Sequence, residues 1–259
     1  MKPNPRILIS NDDGIDAPGL ELLSELAAQL SQDVWVVAPG GNQSGSGHRF
    51  TLGTEMSLTR HGERRFSVDG TPADCVVIGC THVLRDHPPD IVLSGINHGQ
   101  NMGDIIHCSG TAAAAREGAL QGALGIALSQ AIDYENQLDV SWECATVHGA
   151  NLLKNLIANA GGRDTYYNIN FPVCAAKAVS GVEVVPHQRF ERSAFKHYPS
   201  KNADRFFISI PDTPTPMDPG HDFHVLSTKN AITITPLTLV QSDLGDIQRL
   251  QGKIALAGL

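Results

Sequence analysis

The sequence is poor in the features that would place it in several large classes of protein. It has no apolar run of the length that a membrane span or a secretory signal needs, and the opening Met1-Lys2-Pro3-Asn4-Pro5-Arg6 leads straight into a short strand-like segment. The expectation is a cytoplasmic chain with no membrane partner. Basic residues are few: 19 Lys and Arg against 27 Asp and Glu, a formal charge of -8, and they are scattered. A surface that grips a nucleic-acid duplex clusters its cations, so this partner is excluded. The five cysteines, Cys75, Cys80, Cys108, Cys144 and Cys174, are odd in number and lack the C-x-x-C spacing of zinc and redox motifs, so they read as reduced, mostly buried thiols. The eleven histidines form neither H-x-H nor H-E-x-x-H. No internal repeat or low-complexity tract is present, which excludes solenoids and linker-like chains.

What is there is enough apolar residue for a full core, 41% of 259 positions. Arg6-Ile-Leu-Ile-Ser10 and Val34-Trp-Val-Val-Ala38 are short apolar runs of the kind found in buried parallel strands. Between them Leu20, Leu23, Leu26, Ala27 and Leu30 recur at helical spacing, with Asp16 and Pro18 at the front. The alternation continues: a helix opening at Thr71-Pro72-Ala73-Asp74 with Thr71 as N-cap, a strand at Asp90–Ser94, an Ala-rich helix from Thr111 to Gly122, a strand at Gly125–Ser129 and a helix from Trp142 to Asn159. This predicts a doubly wound α/β sheet, mostly parallel, over a core of residues 1–172. From 173 to 259 the texture changes to short alternating runs, Arg205–Pro211 and Ala231–Pro236, expected as antiparallel strands or long hairpins, with a loop from Asp212 to Gly220.

In an open α/β sheet the site lies beyond the carboxyl ends of the strands, and these ends are polar here. Asn11-Asp12-Asp13-Gly14 follows the first strand. Turning on a glycine at a strand end, both carboxylates can converge, and a hard divalent cation with oxygen ligands would relieve their repulsion. An Asx-turn and helix-capping role explains such a stretch equally well, and spacing alone does not choose. The glycine-rich segment Gly40–Gly47 lacks the Lys of a P-loop and the spacing of a dinucleotide fingerprint. The segment Ser94–Thr111 runs from a strand end to a helix start. Ser109, Gly110 and Thr111 there offer N–H groups and hydroxyls to an anion, or merely cap the helix. Asn97 and Asn101 carry amides suited to a metal or a phosphate, and His98 and His107 flank the segment as surface or packing residues.

Five stretches taken in order, Ile-Ser-Asn-Asp-Asp-Gly-Ile at 9–15, Val-Ala-Pro at 37–39 with Gln43-Ser44-Gly45, Gly-Thr-Pro-Ala-Asp-Cys at 70–75, Ser-Gly-Ile-Asn at 94–97 and Ser-Gly-Thr at 109–111, resemble the SurE (survival protein E) family of 5′/3′-nucleotidases. The runs Asn168–Pro172 and Ile232–Leu237 extend the likeness along the chain. The resemblance implies a Rossmann-like core with a C-terminal antiparallel β-hairpin extension exchanged between subunits of a homodimer or homotetramer, parts of the 173–259 region returning to the core. It implies one Mg2+ or Mn2+ ion held by Asp12, Asp13, Ser44 and Asn97, with Asn101, Ser109, Gly110 and Thr111 facing the phosphate of a nucleoside monophosphate. Polyphosphate is a possible further substrate. Ile105 stands where members often have a second Asp, and Cys108 where a Tyr is frequent; both departures bear on substrate preference and on the packing behind the phosphate.

The implied reaction is in-line attack on phosphorus by a metal-activated water, with Asp13 as a nucleophile forming an aspartyl-phosphate the alternative. Two other classes compete. A phospho-acceptor receiver domain also sets an acidic pair after its first strand, but needs a Lys at the end of a late strand, where this chain has Gln130-Ala131-Ile132. A metal-dependent nucleotide sensor would bind without turnover.

Overall fold

Ile7, Leu8 and Ile9 are fully buried because strand β1 (Ile7–Ser10) is covered on both faces. Successive side chains of a strand point to opposite faces, so each residue feeds a different core. Ile7 and Ile9 pack with Leu20, Leu23 and Leu26 of helix α1 (Pro18–Ala28) and with Cys144, Ala145 and Leu153 of helix α4 (Glu143–Asn159). Leu8 packs on the other face with Cys75 and Val76 of helix α2 (Pro72–Ile78) and Ala114 of helix α3 (Gly110–Leu120). The computed structural model describes residues 2–133, 139–162, 164–193, 195–209, 217–251 and 253–254.

The other strands of the core are β2 (Val34–Pro39), β3 (Leu58–Arg60), β4 (Arg65–Val68), β5 (Ile91–His98), β6 (Leu124–Gln130) and β7 (Thr165–Phe171). Later come β8 (Gly181–Val184), β9 (Lys196–Pro199), β10 (Phe206–Ser209), helix α5 (Asp222–Lys229), β11 (Ala231–Thr238) and helix α6 (Leu244–Leu250). One nine-stranded sheet runs β3-β4-β2-β1-β5-β6-β7-β11-β8. From β4 to β7 all pairings are parallel, whereas β3 is antiparallel to β4 and β11 to β7. The mostly parallel, doubly wound sheet expected from the alternation is present. The chain moves from β1 outward to β2 on one side and resumes at β5 on the other, so the strand order reverses between β1 and β5, where an α/β sheet opens its crevice.

Several local expectations shift on inspection. Thr71 caps α2 in a full capping box with Asp74, as its spacing predicts, but the helix ends at Ile78 and continues as a π-helical turn over Gly79–Val83. Asp16 does not cap α1: the N-cap is Ala17, without a side-chain bond, and Pro18 occupies the first turn. The Asp90 strand runs four residues further than its apolar signal, through Asn97 to His98. In the C-terminal part, β9 and β10 form a separate two-stranded antiparallel hairpin, while β11 joins the main sheet between β7 and β8. Of the expected Asp212–Gly220 loop, residues up to 216, together with Pro211, lie outside those described; 217–220 is irregular and leads to α5.

Candidate active site

The crevice between β1 and β5 is assembled by main-chain ties between loops distant in sequence. Asn11 folds the β1 loop on itself: its side-chain amide donates to the Gly14 carbonyl at 2.9 Å and its Oδ1 accepts the Gly14 N–H. Gly14 has a φ of +106° and lies so close to Gly41 that a Cβ would meet that backbone at 3.1 Å. The glycine-rich loop then lies along this turn, with the Gln43 N–H donating to the Asp12 carbonyl at 2.7 Å. Ser44, the next residue, is exposed at the loop. Further on, the Gly47 N–H donates to the Cys108 carbonyl at 2.9 Å, joining the same loop to the segment before α3.

Asp12 is buried, at 4% exposure. Thr111 in the first turn of α3 donates its hydroxyl to Asp12 Oδ1 at 2.5 Å. Gly110 passes so close that a Cβ there would stand 2.7 Å from the Asp12 Cβ and 2.9 Å from both Asp12 Oδ2 and Ser46 Oγ. Burial pushes the Asp12 carboxyl up to about 6; the Thr111 bond opposes this and the charge of Asp13 adds to it. Asp13 is likewise raised by burial, opposed by the His98 N–H, which donates to its Oδ2 at 3.3 Å. Among the described residues no Lys, Arg or His forms an ion pair with either carboxylate. His98 also lowers Asp13 through its charge, so the pair is two adjacent acids, raised by burial and without an ion-pair partner among the described residues, the kind of group a divalent cation could neutralise.

The other sequence-derived residues are held by contacts of their own. Asn97, at the end of β5 and half-buried, donates its amide N–H to the Gly99 carbonyl at 2.7 Å, which leaves Oδ1 as its acceptor. Asn101 is deeper: its amide donates to Ser129 Oγ, its N–H to Asn170 Oδ1, and its carbonyl accepts from the side chains of Asn168 and Asn170. Ser109 is the N-cap of α3, its hydroxyl accepting the Ala112 N–H at 3.0 Å. So the hydroxyls of Ser109 and Thr111 are committed within the protein, to the helix and to Asp12. The Gly110 N–H, without a protein acceptor among the described residues, is the donor left at this helix start. His98 and His107 are exposed.

The donor set that the resemblance implies for a metal is all oxygen: the carboxylates of Asp12 and Asp13, the Ser44 hydroxyl and the Asn97 amide oxygen. It suits magnesium or manganese, and among the described residues no group of three or more His, Cys, Asp and Glu forms a rival centre. Sequence reasoning missed the residues that hold the polar segment from Asn97 to Gly103 in place. Ser129, Asn168 and Asn170 pin Asn101 from the ends of β6 and β7. Asn168 and Asn170 do leave a signal, two amides at alternate positions of an otherwise buried strand. Asp222 leaves none: fully buried at the start of α5, it accepts the N–H groups of Gly103, Gln188 and Phe223, fixing the polar segment at Gly103 across 119 positions of sequence.

Comparison with known proteins follows this geometry. The family model described as survival protein SurE matches residues 7–194. A protein of Methylobacterium radiotolerans named 5′-nucleotidase SurE is 41% identical over 244 residues, covering 92% of this chain and 94% of the relative. Its namesake in Azorhizobium caulinodans is 39% identical over 248 residues, covering 95% and 97%. The crystal structure of the SurE protein from Aquifex aeolicus superposes with a TM-score of 0.81 at 30% identity, covering 96% of this chain and 98% of that one. With a family match over most of its length and relatives near 40% identity that it spans almost completely, the chain belongs to the survival protein SurE family.

Proposed function

We propose that the chain is a 5′-nucleotidase that hydrolyses nucleoside monophosphates to nucleoside and phosphate, as the names of its relatives state for them. The observation that carries this reading is the contact of Gly110 with Asp12, which sets the free N–H at the start of α3 beside an unpaired acidic pair. One Mg2+ or Mn2+ ion would be held by Asp12, Asp13, Ser44 and Asn97, and when bound supplies charge withdrawal from phosphorus and activation of a water for in-line attack.

The chain's own residues do the rest. The Gly110 N–H at the start of α3 faces the equatorial phosphoryl oxygens, where charge accumulates in the transition state. Thr111 keeps one Asp12 oxygen turned inward and the other available. Asn101 is fixed by four hydrogen bonds to Ser129, Asn168 and Asn170, which leaves its side-chain Oδ1 as the atom that could turn to the substrate without reorganising. The same site would accept 3′-monophosphates and the terminal group of polyphosphate, because its contacts are to phosphoryl oxygens.

The test is a panel of nucleoside 5′- and 3′-monophosphates, polyphosphate and an aryl phosphate, assayed with Mg2+, with Mn2+ and with a chelator. Hydrolysis of the 5′-monophosphates that a chelator abolishes and metal restores is the expected result. Binding without turnover would identify a nucleotide sensor, and full activity in Asp12→Asn or Asp13→Asn proteins that fold normally would remove the site.

A further inference from the structure

Two thiols that this reaction does not use meet at the start of α4. Cys144 lies in the first turn of α4 and is fully buried; Cys174 lies three residues beyond the end of β7 and is half-buried. Their sulfurs are 3.9 Å apart, and Cys144 Sγ also points at the Cys174 carbonyl, at 3.1 Å. A disulfide holds its sulfurs about 2.05 Å apart, so the two side chains must close roughly a further 1.9 Å. Cys75 and Cys80, by contrast, are sealed in the core around α2, and Cys108 bonds to the Ile105 carbonyl.

We propose that Cys144 and Cys174 are a redox-active pair, converted to an intramolecular disulfide by a low-molecular-weight disulfide such as oxidised glutathione. Exposure sets the order of events. Cys174 is the sulfur the oxidant reaches, whereas burial pushes Cys144 up to about 12, the neighbouring Cys174 adding to this, which suits it to the second step. Cys174 gives up its proton and attacks one sulfur of glutathione disulfide; the S–S bond breaks and one glutathione leaves as thiolate, to be protonated by water. Cys144, losing its proton as it attacks, then displaces the second glutathione from Cys174. Two protein thiols are oxidised and one glutathione disulfide is reduced to two glutathiones.

The cross-link joins residues 30 positions apart and ties the start of α4 to the end of β7. It restricts the unfolded chain while leaving the Asp12 site untouched, so oxidation should raise Tm by roughly 5–10 °C with kcat/KM unchanged. The experiment incubates the full chain with oxidised glutathione and counts thiols, maps peptides and records melting curves, beside Cys144→Ser and Cys174→Ser. The expected product has lost two of its five thiols, is lighter by the mass of two hydrogens, carries a 144–174 cross-link and melts higher. Cys144→Ser should stop at a glutathione adduct on Cys174. Five thiols remaining in the wild-type chain, an adduct on Cys174 that never resolves, or two thiols lost from Cys144→Ser would each overturn the pair, whatever the nucleotide assay shows.

Discussion

Thr111 governs how Asp12 stands in the site. Its hydroxyl is fully buried and its bond to Asp12 Oδ1 is the one side-chain tie on a carboxylate that burial otherwise disfavours. Partners of this kind are worth about 10–100-fold in metal affinity or activity. Thr111→Val, which keeps the shape and removes the donor, should lower apparent Mn2+ affinity by about that factor, and Thr111→Ser should recover most of it; a metal titration followed by calorimetry reads both. Gly110→Ala is the steric counterpart. The added methyl meets Asp12 and Ser46, so activity should fall at least about 10-fold, and the overpacking should cost about 1–3 kcal/mol of stability, read by kcat/KM and by melting. At this scale the sequence was informative about residue types and less so about their duties. Asp12 and Asp13 were visible as an acidic pair at a strand end, but whether Thr111 turned to a ligand or to Asp12 depended on a contact across 99 positions, which no local spacing encodes.

Helix α2 shows how a local signal reaches beyond its own element. Asp74, identified as the third residue of a capping box, accepts the Thr71 N–H and is capped in turn by Thr71 Oγ1. It also accepts both the N–H and the hydroxyl of Thr51, and the Thr71 hydroxyl donates to the Arg49 carbonyl. The helix start therefore anchors the far end of the glycine-rich loop. Asp74→Ala leaves several buried donors unmet and should cost about 2–4 kcal/mol, seen as a lower denaturant midpoint, with a rise in KM from the loosened loop. The capping box was legible because its partners are three residues apart. Asp222 was not, since its three donors come from 103, 188 and 223, and only folding brings them together. Short apolar runs and helical spacing located the core elements for the same reason, while the exit of β5 through Asn97 lacked an apolar signal.

Across the whole molecule, the edge of the sheet opposite the site is held by charge. Arg6 donates to Asp33 from its guanidinium and to Asp90 from its backbone N–H. Burial would raise both carboxyls, but bonds and charge from Arg6, Trp35 and Arg64 at Asp33, and from Lys2 and Arg6 at Asp90, hold them below the usual carboxylate range. A group whose pKa is lower folded than unfolded adds stability above its unfolded pKa and loses it as pH falls through the folded one. Urea midpoints should therefore decline as pH is lowered from the ordinary carboxylate range, and more shallowly in Arg6→Ala. At the other extreme of the chain, Phe206, Phe207 and Ile208 of β10 are 62%, 64% and 77% exposed. If this hairpin is covered in the homodimer or homotetramer that the resemblance implies, Phe207→Lys should shift the mass measured by light scattering downward. Strand order itself was only partly readable, because β11 returns to the sheet after a hairpin that its own alternating pattern resembles. The latches on the glycine-rich loop carry one more consequence. Gln43 and Gly47 hold it through N–H groups to the carbonyls of Asp12 and Cys108, atoms that every residue but proline supplies alike. Substitution can thus rewrite the side chains of that loop, outside the positive-φ glycines Gly45 and Gly47, without undoing the grip that ties it to the Asp12 turn and to the segment before α3.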